Sequence, residues 1–529
     1  MKQNRAGSAC ACLLSAIALL LAAAGSEAET IKVSASADAG TMDPHSQAVT
    51  NTDQIMRQIY EGLIARDANL KLVPALATEW KLVDPKRWRF RLRPAVKFHD
   101  GKPLTPDDVA FSLLRASRPG SNIKLFSDSI ERVVTVDGYS VDVITREPDP
   151  ILPEKLFRIG IMSKAWAEAN NAVDPTPQGK DGFATTHTNG TGPYRLVDRR
   201  PGVRTTLAAF DGWWGQRSGN VTEYISIPIT SAATRVAALL SGEVDILLDP
   251  PLQDIKRIES SGRTKVLTGP ENRTLLFVLD SSRDELLYSD VKGKNPFKDV
   301  RVRKALYQAL DVNAITTKIL RGYAIPAGLQ MPPMVTGYTK ELDTRAPYNP
   351  AAAKALLAQA GYPQGFGFTV DCTNNRYAND EAVCQAVVAM WAAIGIRANL
   401  NSMPLQTFFP KVSAKDSSAF LLGIGSPTLD AFYSIQNNLL SSASSQVDGI
   451  WSLGYSNPKI DELAKSAKFA LDPAKRLALM QQALAAGKQD FANIPLYHST
   501  GAWAMAKGIN TVYRPDAIME ARYVTVSRK

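Results

Sequence analysis

The chain has 529 residues, 45% hydrophobic and 21% charged, with a formal charge of +10. One hydrophobic core rarely organises more than about 250–300 residues, so two or three lobes are expected. The basic charge is scattered rather than clustered, which argues against a nucleic-acid partner.

Lys2 and Arg5 precede an apolar run from Ala9 to Ala24 and the small-residue triplet Ser26-Glu27-Ala28, the order of an export signal over residues 1–28. A run of about 16 apolar residues falls short of the roughly 20 that cross a bilayer, and no later stretch is longer and uncharged, so a soluble mature chain starting near Glu29 is expected. Cys10 and Cys12 lie ahead of the cleavage region, which leaves no lipid-anchored cysteine. The charge falls to +9 when Lys2, Arg5 and Glu27 leave.

Ile31–Ala35 reads as a strand, followed by a turn at Gly40–Pro44 and a helix with Thr52 or Asp53 as its cap and Ile55, Ile59 and Leu63 on one face. Strands alternate from Trp80 to Phe98. Among them Lys86–Arg93 interleaves basic and apolar residues, as a strand with one wet face does. Thr105-Pro106-Asp107-Asp108 opens a helix: Thr105 caps it, Pro106 suits its first position, and the carboxylates favour the positive end of its dipole. Val133–Thr145 reads as a hairpin turning at Asp137-Gly138. Asn170–Asn189 is a long irregular segment.

Thr234–Leu240 forms a helix closed by Gly242, and Val244–Leu247 a buried strand. After Pro270 the pattern restarts: strand Thr274–Leu279, helix Val300–Leu320 capped by Gly322, helix Ala351–Ala360, strand Phe368–Cys372, helix Asp380–Ile394, strand Ile396–Leu400. That alternation predicts a layered α/β lobe. Ile460–Ala470 and Pro473–Gln489 are amphipathic helices, and the last strands pass through Ile494–Tyr497.

Two cysteines follow the leader, Cys372 and Cys384, with eleven residues between them. In an oxidising compartment the pair forms a structural disulfide, with two buried thiols as the alternative. Catalytic chemistry is sparse. The four histidines, His45, His99, His187 and His498, stand far apart and none has an i,i+4 partner for a helical zinc site, so neither a metal nor a cofactor is expected. Ser121-Asn122-Ile123-Lys124 and Ser456-Asn457-Pro458-Lys459 match Ser-x-x-Lys, yet the accompanying elements of penicillin-recognising acyl enzymes are missing. Asp107 and Asp108 point apart on a helix, and capping already accounts for them.

From Leu76-Ala77-Thr78-Glu79-Trp80 through Lys97-Phe98-His99-Asp100-Gly101-Lys102-Pro103-Leu104-Thr105-Pro106-Asp107-Asp108 the sequence resembles the extracellular solute-binding proteins of the peptide/nickel ABC-transporter family, solute-binding protein family 5. Family-like elements recur in order at Gly190–Tyr194, Asp211-Gly212-Trp213-Trp214, Phe297–Leu306, Ile394-Gly395-Ile396 and Ile494–His498.

The resemblance implies an α/β, two-lobed periplasmic-binding-protein clamp: first lobe 29–73, 191–270 and 499–529, inserted domain 74–190, second lobe 271–498, with hinge crossings near Pro270 and Tyr497. It implies a periplasmic monomer that is no enzyme, closing over a peptide or peptide-like solute and delivering it to an ABC transporter permease.

For the ligand, Arg376 is the candidate carboxylate fork, with Tyr433 and Trp451 as aromatic walls. Peptide-binding relatives often carry Trp-x-Gly-Asp where this chain reads Gly423-Ile424-Gly425-Ser426-Pro427. Either Asp430 meets a ligand ammonium instead, or the ligand has no free amine there. That departure keeps a second solute class open, such as an opine, an oligosaccharide or a metal chelate. A secreted serine hydrolase is the remaining alternative.

Overall fold

The computed structural model describes residues 29–441 and 449–527. The expected leader, residues 1–28, with Cys10 and Cys12, lies outside them. The backbone of the molecule is one eleven-stranded sheet. Its strands run in the order Arg397–Met403, Gly367–Thr373, Ala419–Ile424, Thr264–Leu279, Asn493–Ala506, Ile246–Leu247, Glu29–Ala35, Val221–Pro228, Arg204–Ala209 and Tyr194–Arg200. Ala324–Pro326 pairs beside Asn493–Ala506.

Two long strands carry this sheet from one lobe to the other. Thr264–Pro270 pairs with Thr500–Ala506, and Thr274–Leu279 pairs with Asn493–His498 and with Ala419–Ile424. The sequence reading began this strand at Thr274. Pro270 looks like a stop, but it stands at a break in register, where the ladder needs no N–H from it.

Each lobe packs its own core. Ile31, Val33, Tyr194, Leu207, Tyr224 and Trp503 centre the first. Phe277, Phe297, Leu306, Phe368, Val387 and Trp391 centre the second. A separate four-stranded antiparallel sheet, ordered Ala77–Asp84, Arg87–Leu92, Ser140–Thr145, Ile130–Asp137, buries Phe90, Val141 and Val143 against helix Pro106–Arg115. That helix starts with a full capping box: the Asp108 amide donates to Thr105 Oγ1, and the Thr105 amide donates to Asp108 Oδ2 at 2.9 Å.

The same helix ties its domain to the first lobe. Arg115 is fully buried and donates to both Asp43 oxygens, at 2.8 and 2.6 Å, and to the Asp174 carbonyl. His45 packs in the same joint, its Nε2 2.9 Å from the Gly160 carbonyl oxygen. Burial, then the Arg115 charge, pushes the His45 pKa down to about 3, so the ring stays neutral.

Two expected helices differ in detail. The first spans Thr50–Ile59 and has no side-chain cap. Asp53 pairs with Arg158, and Thr52 donates to Gln47. Val300–Leu320 is broken: a helix covers Val300–Gln308, a short turn follows at Val312–Ala314, and Ile315–Ile319 is π-helical. Asp311 starts the new turn by accepting from the Ala314 amide at 2.9 Å, the local competition that short acidic side chains offer a helix.

The lobes touch outside the hinge. Leu70, at the tip of the Ile64–Arg66/Leu72–Pro74 hairpin, is buried in a second-lobe cluster with Leu329, Met331 and Phe432. Arg66 donates to the Thr428 carbonyl at 2.9 Å. Glu154, on helix Leu152–Leu156, sits beside this contact and feels Asp430, Arg66 and Arg476. Burial first, and then the Asp430 charge, raises its pKa to about 7.

Two outcomes are expected. Arg115→Met, by stranding Asp43 in the interior, costs about 3–5 kcal/mol in urea unfolding. An opening of the Arg66–Thr428 contact that rehydrates Glu154 would return its pKa from about 7 toward 4.5 and release a proton, so the contact is expected to hold at low pH and to loosen as pH climbs through that window. Small-angle scattering across that window reads this as a growing radius of gyration, and Glu154→Gln flattens the response.

Candidate functional site

The register break in the crossing strands sets charged and polar groups between two stretches of paired ladder. Between the pairs Pro270↔Thr500 and Thr274↔His498, Glu271, Asn272 and Arg273 stand opposite the single residue Ser499. A bulge of this kind frees side chains from the alternation of the strand and re-aims them. Asn272 pins it. Its amide donates to the Pro515 carbonyl at 2.7 Å, and its Nδ2 donates to the Ser426 carbonyl at 2.7 Å. Gly425 allows that approach, since a Cβ there would sit 2.1 Å from the Asn272 carbonyl oxygen.

On either side of Asn272, Glu271 and Arg273 form an ion pair at 2.9 Å, with their side chains 17% and 25% exposed. Burial is the largest influence and opposes the Arg273 charge, but Glu271 together with Tyr377, Tyr513 and Tyr497 outweighs burial and leaves its pKa above the arginine norm. Tyr377, Tyr497 and Tyr513 also surround it. Behind the bulge, Gly269 and Gly501 face each other in register, and the Tyr513 ring lies against both.

Arg376 belongs to the loop after strand Gly367–Thr373. Three devices hold this loop. A disulfide joins Cys372 to Cys384 on helix Asp380–Ala392. The Asp380 carboxylate accepts from Thr373 Oγ1 at 2.7 Å and from the amides of Arg376 and Tyr377 at 3.0 and 3.1 Å. Asn375 Oδ1 accepts from the Leu405 amide at 2.9 Å.

The Tyr377 ring packs against Gly423 and Leu275, and its hydroxyl accepts from the Gly423 amide at 2.9 Å. The Arg376 side chain is exposed and makes no ion pair among the described residues. The surrounding protein and then the like charge of Arg273 hold its pKa below the usual value. Both guanidinium carbons approach the Tyr377 ring, Arg376 at 5.4 Å and Arg273 at 5.8 Å from its centroid.

The other sequence candidates fall elsewhere. Asp430 is buried and caps helix Ala431–Asn438. Both its oxygens accept from Arg476, at 2.5 and 2.8 Å. Its carboxylate is therefore occupied by a partner 46 residues away in the chain. Tyr433 and Trp451 are half-buried and pack with Phe409 against Leu276, Leu422 and Ile424. That is the sheet face opposite Leu275 and Tyr377, so the structure does not bring them to Arg376. Among the described residues no group of three His, Cys, Asp or Glu side chains could hold a metal. Of the two Ser-x-x-Lys matches, Ser121 accepts from the Ile123 amide in a turn, and Ser456 precedes the Asn457 cap of helix Pro458–Phe469.

The sequence does not single out Glu271 and Arg273, because Pro270 looks like the end of one element and the next strand is expected only from Thr274. Their signal is an acid and a base, two apart, at the head of an apolar run.

The pattern described as bacterial extracellular solute-binding proteins, family 5, middle part, matches residues 71–446. The chain belongs to that family of solute-binding proteins, and its fold is their two-lobed α/β clamp. Heme-binding protein A of Haemophilus influenzae is 26% identical over 478 residues, spanning 85% of this chain and 84% of that one. The glutathione-binding protein GsiB of Pectobacterium atrosepticum is 26% identical over 452 residues, spanning 84% and 83%. The dipeptide binding protein of Pseudoalteromonas sp. SM9913, solved in complex with Met-Leu, superposes with a TM-score of 0.77 at 20% identity, covering 94% of this chain and 100% of that one.

If the disulfide sets the Arg376 loop, replacing Cys372 and Cys384 by serine lowers stability by about 3 kcal/mol for a loop of this size. Hydrogen exchange at the amides of Arg376 and Tyr377 should rise at the same time.

Proposed function

We propose that this chain is the periplasmic substrate-binding component of an ABC importer, capturing a peptide-like solute that bears a carboxylate and releasing it unchanged to a membrane permease. The clamp is built of a first lobe at 29–73, 191–270 and 499–529 and a second at 271–498, with 74–190 inserted, and it works as a monomer. The observation that carries the ligand class is Arg376: an exposed guanidinium, held in place by the backbone around it, with no carboxylate of its own among the described residues. Its planar fork suits a carboxylate, which accepts two parallel hydrogen bonds. Tyr433 and Trp451, on the other face of the sheet, are left out of this reading of the ligand site. In this reading Asp430 is a structural partner of Arg476 and does not meet a ligand ammonium.

Native mass spectrometry of protein purified from its own host is expected to show a retained acidic solute. Arg376→Ala is expected to weaken that solute about 10- to 100-fold, the loss of a charge-assisted pair, with little change in melting temperature. Unchanged affinity would overturn the carboxylate assignment. Conversion of the retained solute into another compound would overturn the binding-protein reading.

A further inference from the structure

The bulge carries more charge than a hinge needs. A backbone crossing between lobes is served by the glycine pair and the Asn272 clasp, which require neither an acid nor a base. Glu271 and Arg273 are nevertheless both present, partly exposed, and joined by an ion pair whose nearest atoms, Oε1 and Nη1, are 2.9 Å apart. A carboxylate has about four lone-pair sites and a guanidinium five N–H donors, so each keeps capacity for a further partner. Arg376 stands at the same tyrosine ring, makes no ion pair among the described residues, and feels Glu271 as the one carboxylate it shares with Arg273. Two cations and one anion leave the cluster one positive charge in excess, and shutting such an excess away from water is costly unless the ligand supplies the missing negative charge.

We propose that Glu271, Arg273 and Arg376 form a three-point charge reader for a solute with one ammonium and two carboxylates, the ammonium at Glu271 and one carboxylate at each arginine. Such a solute has a net charge of minus one and makes the closed site neutral. It also takes up each group of the Glu271–Arg273 pair with its opposite, so the pair holds both side chains in position until the ligand arrives. Asp430 being taken by Arg476, Glu271 is the carboxylate the cluster offers an ammonium.

This inference rests on the binding-protein reading above, and calorimetry separates the two. The probes are alanyl-glutamate, its isostere alanyl-glutamine with one acid fewer, and N-acetyl-alanyl-glutamate without the ammonium. Alanyl-glutamate is expected to bind at least about 10-fold more tightly than either of the others, the worth of one charge-assisted contact. Arg376→Gln should bring alanyl-glutamate and alanyl-glutamine to within about twofold of each other. Glu271→Gln should do the same for the free and N-acetylated peptides. A purely structural role for Glu271 would weaken all three probes alike and leave their ranking intact, and that result overturns the proposal. Equal binding of all three by the unaltered protein, or no binding of alanyl-glutamate at millimolar concentration, also overturns it. In those cases the broader reading still stands if a neutral or cationic dipeptide, or a solute retained from the host, binds; it falls too if none does.

Discussion

Two antiparallel strands are shared by both lobes, and a three-residue break in their pairing is the constraint on which the rest of the molecule depends. On one side of Pro270 the ladder serves the first lobe, and on the other it serves the second. Because the sheet is continuous, the lobes keep a common frame. Because the ladder lapses at Glu271–Arg273, the two stretches of pairing are joined by three residues outside the ladder, and the charged side chains there are freed from its alternation.

Buried ion pairs act as the joints around that frame. Arg115 with Asp43 seats the inserted sheet on the first lobe, and Arg476 with Asp430 holds helix Pro473–Gln489 to the start of helix Ala431–Asn438. Each pair gives up hydration and recovers it through bidentate geometry and backbone partners, so its value lies in fixing where elements meet more than in net stability. The Arg66–Thr428 contact, by contrast, is made between lobes, and Glu154 lies beside it.

Much of the scaffold was legible because its signals are local. The Thr105 cap, the Asp137-Gly138 hairpin, the Gly242 helix end and the run of second-lobe elements all rest on neighbouring residues, and the structure contains them. The family resemblance supplied the clamp. What stayed hidden depends on distant partners. Nothing near Asp430 announces that Arg476 will claim it, and nothing near Pro270 reveals that the strand continues through a bulge, because that follows from pairing with residues more than 200 positions away. Tyr433 and Trp451 read as pocket walls on residue type alone, but which face of the sheet they occupy is set by the alternation of strands around Leu276 and Leu422.

The Cys372–Cys384 bridge spans the loop that carries Arg376 and Tyr377, linking the end of a strand to the helix that follows. Because the bridge closes only by oxidation, the fixed backbone at Arg376 depends on the redox state of the surroundings: in a reducing medium the Asp380 hydrogen bonds alone tie the strand end to the helix, and the loop gains freedom.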